Sequence, residues 1–266
     1  MEVLRVPAIT FAAMAASIVL SVAAPIALFF VVRKRYGKGI LPVLVGGAGF
    51  LLFAMVLEQI LHFVVLRPGL DGTVALAQRP FLYMLYGALA AGVFEETARF
   101  VSFHILKKRC SGFGTALKHG IGHGGVEAVL LGGISLVSGI ALAAMLNTLG
   151  AEGVSNMGAS VLEQAQAIAT ASPAMFLVSG AERLFALGIQ ISLSVVVYYS
   201  VYQPRKLWLF PLAILLHALV DCPAALFQAG KLTNVWAVEG IVLASMAVLA
   251  ALAVVIHRRL EPKDAT

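Results

Sequence analysis

The sequence predicts an all-α, polytopic transmembrane helical bundle of about seven spans. Its 266 residues are 61% hydrophobic and only 12% charged, with a mean hydropathy of +0.96, more apolar surface than a soluble core can hide. The apolar residues come in long runs that reach the ~20 residues a bilayer crossing needs. These runs lack the alternation of barrel strands, and lipid leaves only helices and closed barrels as spanning structures.

In chain order the runs lie near 8–32, 39–66, 81–106, 119–149, 174–202, 207–229 and 233–256, within a single integral membrane domain, residues 1–266. The first has small residues near 21–27 that resemble a cleavage site, but its apolar stretch continues to Val32 and closes on basic residues, so it reads as a retained span. Spans two to four are dense in small residues, such as Gly46-Gly47-Ala48-Gly49 and Gly120 through Gly125, which let helix backbones approach closely. The connection 150–173 is acidic and has Met157, Val161, Ala165 and Ile168 at helical spacing. It is either an amphipathic helix lying along the outer surface or a partly ordered loop. Tyr198, Tyr199 and Trp208 fall near span boundaries and read as interface anchors. Cys110 and Cys222 form neither a disulfide framework nor a zinc ribbon.

Basic residues set the expected orientation. Arg33, Lys34, Arg35, Lys38, Lys107, Lys108, Arg109, Lys118, Arg205, Lys206, Arg258, Arg259 and Lys263 follow spans one, three and five or the last span. The other side has Arg5, Arg67, Arg79 and Lys231. The positive-inside rule then places the N-terminus outside and the C-terminus in the cytoplasm, in a multi-pass protein of the plasma membrane. The net charge of +6 follows from this topology and from contact with anionic membrane lipids. No soluble basic face remains for nucleic acid, and the sequence carries no signal of oligomeric state.

The third run holds Glu95, Glu96 and Arg99 near its middle, where charges cost several kcal/mol and rarely persist without a task. At spacings of three and four residues, both carboxylates share a helix face with the arginine. One guanidinium can hold one carboxylate ionised, and two carboxylates in different surroundings can divide general-base and general-acid work. In the fourth span His123 and Glu127 lie one turn apart, as do His217 and Asp221 in the sixth. Asp221 can accept the ring N–H of His217 and leave the other nitrogen for substrate. Counted along their helices, Glu95 and His217 both fall ~15–18 Å from the cytoplasmic end.

The remaining polar groups read as structural. His119, beside Lys118, is expected to be solvated at the interface, and Glu58, Gln59 and His62 to form a solvated interfacial cluster. Glu182 and Arg183 are neighbours pointing about 100° apart, so neither pairs neatly with the other. Each needs a partner on another helix, Arg183 with Glu127 being one choice, in a network that supports the bundle.

The order of Glu95-Glu96-Thr97-Ala98-Arg99, Gly122-His123-Gly124-Gly125-Val126-Glu127-Ala128 and His217-Ala218-Leu219-Val220-Asp221 resembles the superfamily of glutamate-dependent intramembrane proteases. That superfamily includes type II CAAX-prenyl proteases, bacteriocin-processing proteins and PrsW, and the chain resembles most closely its YhfC branch. The resemblance implies a core of four helices and an intramembrane endopeptidase acting on a membrane protein or peptide. Glu95, or Glu96, would activate water, Arg99 would position the carboxylates, and His123 and His217 would donate to the oxyanion. Asp221 stands where CAAX-prenyl proteases carry Asn, so it is assigned to orienting His217. No cofactor is required on this reading. The alternative is zinc held by Glu96, His123 and His217. Buried acids and histidines also make proton relays, so a proton-coupled transporter or sensor, or a non-catalytic scaffold, are the rival classes.

Overall fold

A computed structural model describes residues 4–69 and 73–260, so Lys263, counted above for orientation, lies outside the described residues. The runs become helices α1 (Ala8–Tyr36), α2 (Leu41–Val65), α3 (Pro80–Leu106), α4 (Phe113–Ser155), α5 (Ala159–Thr170), α6 (Pro173–Tyr202), α7 (Leu209–Gln228) and α8 (Val235–Leu260). Among the described residues there is no strand. Proline in the first turn of α2, α3 and α6 supplies a preset φ where its missing N–H costs nothing.

Six of these helices, α1, α2, α4, α6, α7 and α8, are long and apolar enough to cross a membrane. The third expected span, α3, is 27 residues long, which is ample at 1.5 Å per residue, yet it does not share that apolar character. Glu95, Glu96 and Arg99 are the reason: the residues that mark a site also dilute the hydropathy of the helix that carries them.

Two spans contain π-helical segments, Phe53–Glu58 in α2 and Ala128–Ile134 in α4. Such segments shift the helical register, so residues beyond them face a different direction, and they are frequent at functional sites. Gly150, with φ +71°, interrupts the far end of α4.

The chain divides into two compact units. One combines the N-terminal stretch up to Ile26 with Glu127–Leu184, and its core includes Val6, Ala143, Leu146, Val154 and Ala165. The segment expected to be a surface helix or a loop is helical, as α5. Its apolar face, with Val161, Ala165 and Ile168, packs onto this protein core, leaving Met157 exposed.

The other unit comprises Ala27–Val126 and the chain from Phe185 onward. Its core includes Phe103, Leu106, Leu193, Val196, Tyr199 and Leu209. Tyr198 and Tyr199 are therefore buried and not interface anchors. Tyr198 Oη accepts from the Gly112 amide at 2.8 Å, and Tyr199 Oη bonds His257 Nδ1 at 2.7 Å. Trp208 is exposed, as expected.

Glycines set the helix spacings in this unit. A Cβ at Gly122 would lie 2.0 Å from Val43 O, at Gly46 2.3 Å from His119 O, and at Gly120 2.5 Å from Ile191 Cα. Backbone contact of this kind holds α4 against both α2 and α6. On α3, a Cβ at Gly92 would meet Ile214 O of α7 at 2.7 Å. Gly92 is about one turn from Glu95 and Glu96, and Ile214 is three residues from His217, so this close approach brings the two polar stretches together.

Candidate active site

Arg99 is fully buried, and its environment organises the rest. Its Nη1 donates to Glu96 Oε1 and its Nη2 to Gln190 Oε1, while Nε donates to Ser194 Oγ at 3.3 Å. Its Nη2 also lies 3.5 Å from Glu95 Oε2. A buried guanidinium is tolerable only when its donors are met in this way.

The two glutamates are held differently. Glu96 has no exposed surface, and Oε1 receives Arg99 and lies 2.6 Å from His217 Nδ1. Its Oε2 is buried and has no hydrogen-bond partner among the described residues. Glu95 keeps 11% of its side chain exposed. Its Oε2 lies 2.9 Å from His123 Nε2, receives Gln190 Nε2 at 3.0 Å, and is 3.9 Å from His217 Nε2. The carboxylate that water can reach is thus Glu95, while Glu96 is enclosed between Arg99 and His217.

His217 has carboxylates at both nitrogens, since Nε2 is also 3.5 Å from Asp221 Oδ2. Glu96 makes the close contact that orients the ring, and Asp221, with 36% of its side chain exposed, stands on the accessible side. His123 is buried edge-on to Phe50, with ring centroids 5.1 Å apart, and its Nδ1 has no partner among the described residues. The six expected site residues, Glu95, Glu96, Arg99, His123, His217 and Asp221, therefore come together in one unit.

Several expectations are corrected. His119 is not solvated: it is fully buried on Phe103, ring centroids 4.4 Å apart, with Nδ1 3.3 Å from Ser194 Oγ. Its position at the start of an apolar run suggested an interface, but the helix begins six residues earlier at Phe113. Glu58 is buried too, at the end of the α2 π segment, and interacts electrostatically with Glu95, His217 and Asp221. Its Oε1 lies 3.3 Å from His62 Nε2, and His62 Nδ1 bonds Tyr86 Oη at 2.7 Å. Glu182 and Arg183 do pair, at 2.5 Å, because the long arginine stem spans the divergence between adjacent side chains. Arg183 also lies 3.5 Å from Glu127, so Glu127, Glu182 and Arg183 form an ion-pair group of the first unit.

Gln190 and Ser194 were not anticipated in the sequence. Both bond Arg99, and their signal is a pair of polar residues four apart, on one face of an otherwise apolar helix.

Two imidazoles and a carboxylate are donor types that zinc accepts. Among the described residues, however, no three of His, Cys, Asp and Glu are grouped so as to hold a metal ion. The set Glu96, His123 and His217 does not converge, because His123 faces Glu95 and Glu96 is taken up at Nδ1 of His217. In this arrangement Glu96, His123 and His217 are joined to other groups by hydrogen bonds and do not form that ligand set.

Comparison with known proteins agrees with the membrane character. Over 234 residues the chain is 37% identical to "Uncharacterized membrane protein YhfC" of Bacillus subtilis (strain 168), covering 86% of this chain and 88% of that one. No solved structure matches. Residues 20–242, which include every group from Glu58 to Asp221 described above, match the model of the YhfC intramembrane metalloprotease family. With six helices among the described residues able to span a bilayer and a match over most of its length, the chain is a multi-pass integral membrane protein and belongs to that family.

Proposed function

We propose that this protein hydrolyses a peptide bond of a membrane-associated protein or peptide at the centre formed by Glu95, His123 and His217. One observation carries the reading: a partly accessible carboxylate is held 2.9 Å from one imidazole Nε2 and 3.9 Å from another inside the membrane domain. Glu95 takes a proton from water, and the resulting hydroxide adds to the scissile carbonyl. N–H groups of His123 and His217 donate to the oxyanion as it forms. The proton on Glu95 then passes to the departing amine as the C–N bond breaks, which returns the carboxylate. Glu96 acts on His217 through Nδ1, Arg99 anchors Glu96, and Gln190 ties the two carboxylate environments together.

The resemblance to CAAX-prenyl and PrsW-type proteases supports a glutamate-activated water. The family's description names a metalloprotease. Zinc, when bound in such enzymes, supplies an activated water. The steps above use this chain's own side chains alone. The orientation supported by the basic loops puts the N-terminus outside the plasma membrane and the C-terminus in the cytoplasm.

The test compares protein N-termini in membranes of cells carrying the wild type, Glu95→Gln or Glu96→Gln at matched protein levels. New termini near membrane segments, seen only with the wild type and reproduced by the purified enzyme, support proteolysis and supply a substrate. Identical termini in all three, together with proton-dependent uptake into liposomes that survives Glu95→Gln, would replace proteolysis with transport.

A further inference from the structure

A second polar feature lies in the same unit as the candidate site, where the end of α1, the start of α2, the end of α3 and the start of α4 meet. A cavity of about 490 Å³ is lined there by Lys38, Arg109 and Lys118, with Tyr36, Phe113 and Thr115 among its walls. Among the described residues no carboxylate lines it.

Lys118 is the informative residue. It is only 5% exposed, and its ammonium donates to the Gly37 carbonyl at 2.8 Å and the Tyr36 carbonyl at 3.1 Å. An ammonium has three N–H donors, so one remains. Among the described residues no carboxylate pairs with Lys118, Lys38 or Arg109. A buried charge without a counter-ion is costly, and an anion in the cavity would offset that cost. The first turn of α4, opening after Gly112 at φ +82°, adds the partial positive charge of a long helix's N-terminus. Buried cation, two exposed cations and helix dipole all select the same ligand charge.

Apolar helices begin and end around the cavity, and in a bilayer the ends of spanning helices reach the lipid head groups. Tyr36 and Phe113 meet edge to face at its wall, with centroids 5.9 Å apart. We propose that this cavity binds a phosphate group, taken from an anionic phospholipid at the membrane surface. Lys118 precedes His119 and lies five residues before His123 on α4, so a seated phosphate would brace the end of the helix that carries the candidate catalytic histidine.

The test uses the full chain, purified and delipidated in a neutral detergent. Retention of phosphatidylglycerol, phosphatidylcholine or inorganic phosphate is measured by native mass spectrometry, and the thermal midpoint with each additive is recorded. One phosphatidylglycerol should be retained in preference to phosphatidylcholine. Lys38→Gln/Arg109→Gln, which alters only exposed side chains, should weaken that retention about 30-fold, as expected for two cations lost near a head group. Lys118→Met should abolish it, and the double variant keeps the test decisive where that substitution impairs folding. Inorganic phosphate that protects the chain and displaces the lipid would uphold the phosphate site and assign it to a soluble anion. Equal retention of both lipids, or wild-type binding by the double variant, would overturn the proposal.

Discussion

Replacing Gly122 by alanine puts a methyl group into the backbone of a neighbouring helix. The new Cβ would lie 2.0 Å from Val43 O and 2.7 Å from its C and Cα, whereas ordinary contact begins near 3.4 Å. The obstruction is main chain, which cannot swing aside, so α2 and α4 must separate by about 1.4 Å at this point. Overpacking of this kind costs roughly 1–3 kcal/mol. In a chain of this size that lowers a thermal midpoint by roughly 2–12 °C. The next residue is His123, whose Nε2 sits 2.9 Å from Glu95, and a displacement of about 1 Å at a reacting group costs about 10²-fold in rate. The control is Gly240→Ala on α8, where a Cβ meets nothing within 4 Å and helix propensity favours alanine by up to about 1 kcal/mol. Thermal unfolding of the purified chain in detergent, followed by intrinsic fluorescence, should show the Gly122→Ala midpoint lowered and that of Gly240→Ala unchanged or raised. If both variants melt with the wild type, α2 and α4 are not in backbone contact, and the account of how His123 is positioned fails.

Arg99→Met should destabilise the chain by about 3–5 kcal/mol, because Glu96 keeps its burial beside His217 and loses its counter-ion. An unchanged thermal midpoint would refute that pairing. Glu95→Gln should lower hydrolysis of a substrate found by the terminus comparison by about 10²–10⁴-fold. Its thermal midpoint should fall less than that of Glu96→Gln, since Glu96 is the fully enclosed member, held between Arg99 and His217. The reverse order of activities, Glu96→Gln inactive and Glu95→Gln active, would exchange their roles. Hydrolysis by the purified chain should withstand a chelator that strips zinc. One zinc per chain, lost together with activity and restored with it, would mean that the groups around His123 and His217 hold a metal and that water is activated there by zinc.

The helices were legible because a bilayer demands long apolar runs, and no tertiary contact is needed to recognise one. The candidate site was legible for the opposite reason: Glu95, Glu96 and Arg99 stand out as charges that lipid would otherwise exclude, and His123, His217 and Asp221 share their depth or helix face. Position along a helix proved a poor guide to solvation. His119, Glu58, Tyr198 and Tyr199 all lie near span ends and are all buried, since a span end can be enclosed by neighbouring helices as well as by water. Gln190 and Ser194 went unremarked because an uncharged polar residue in an apolar helix costs little enough to need no explanation until its partner is seen.

Sequence alone thus determined where the chain turns polar inside the membrane and which residue types meet there, because both follow from the cost of placing charge in lipid. Tertiary structure alone decided which carboxylate meets which imidazole. That choice depends on the rotation and separation of whole helices, set by main-chain contacts at Gly92 and Gly122, and these placed Glu95 at His123 and Glu96 at His217.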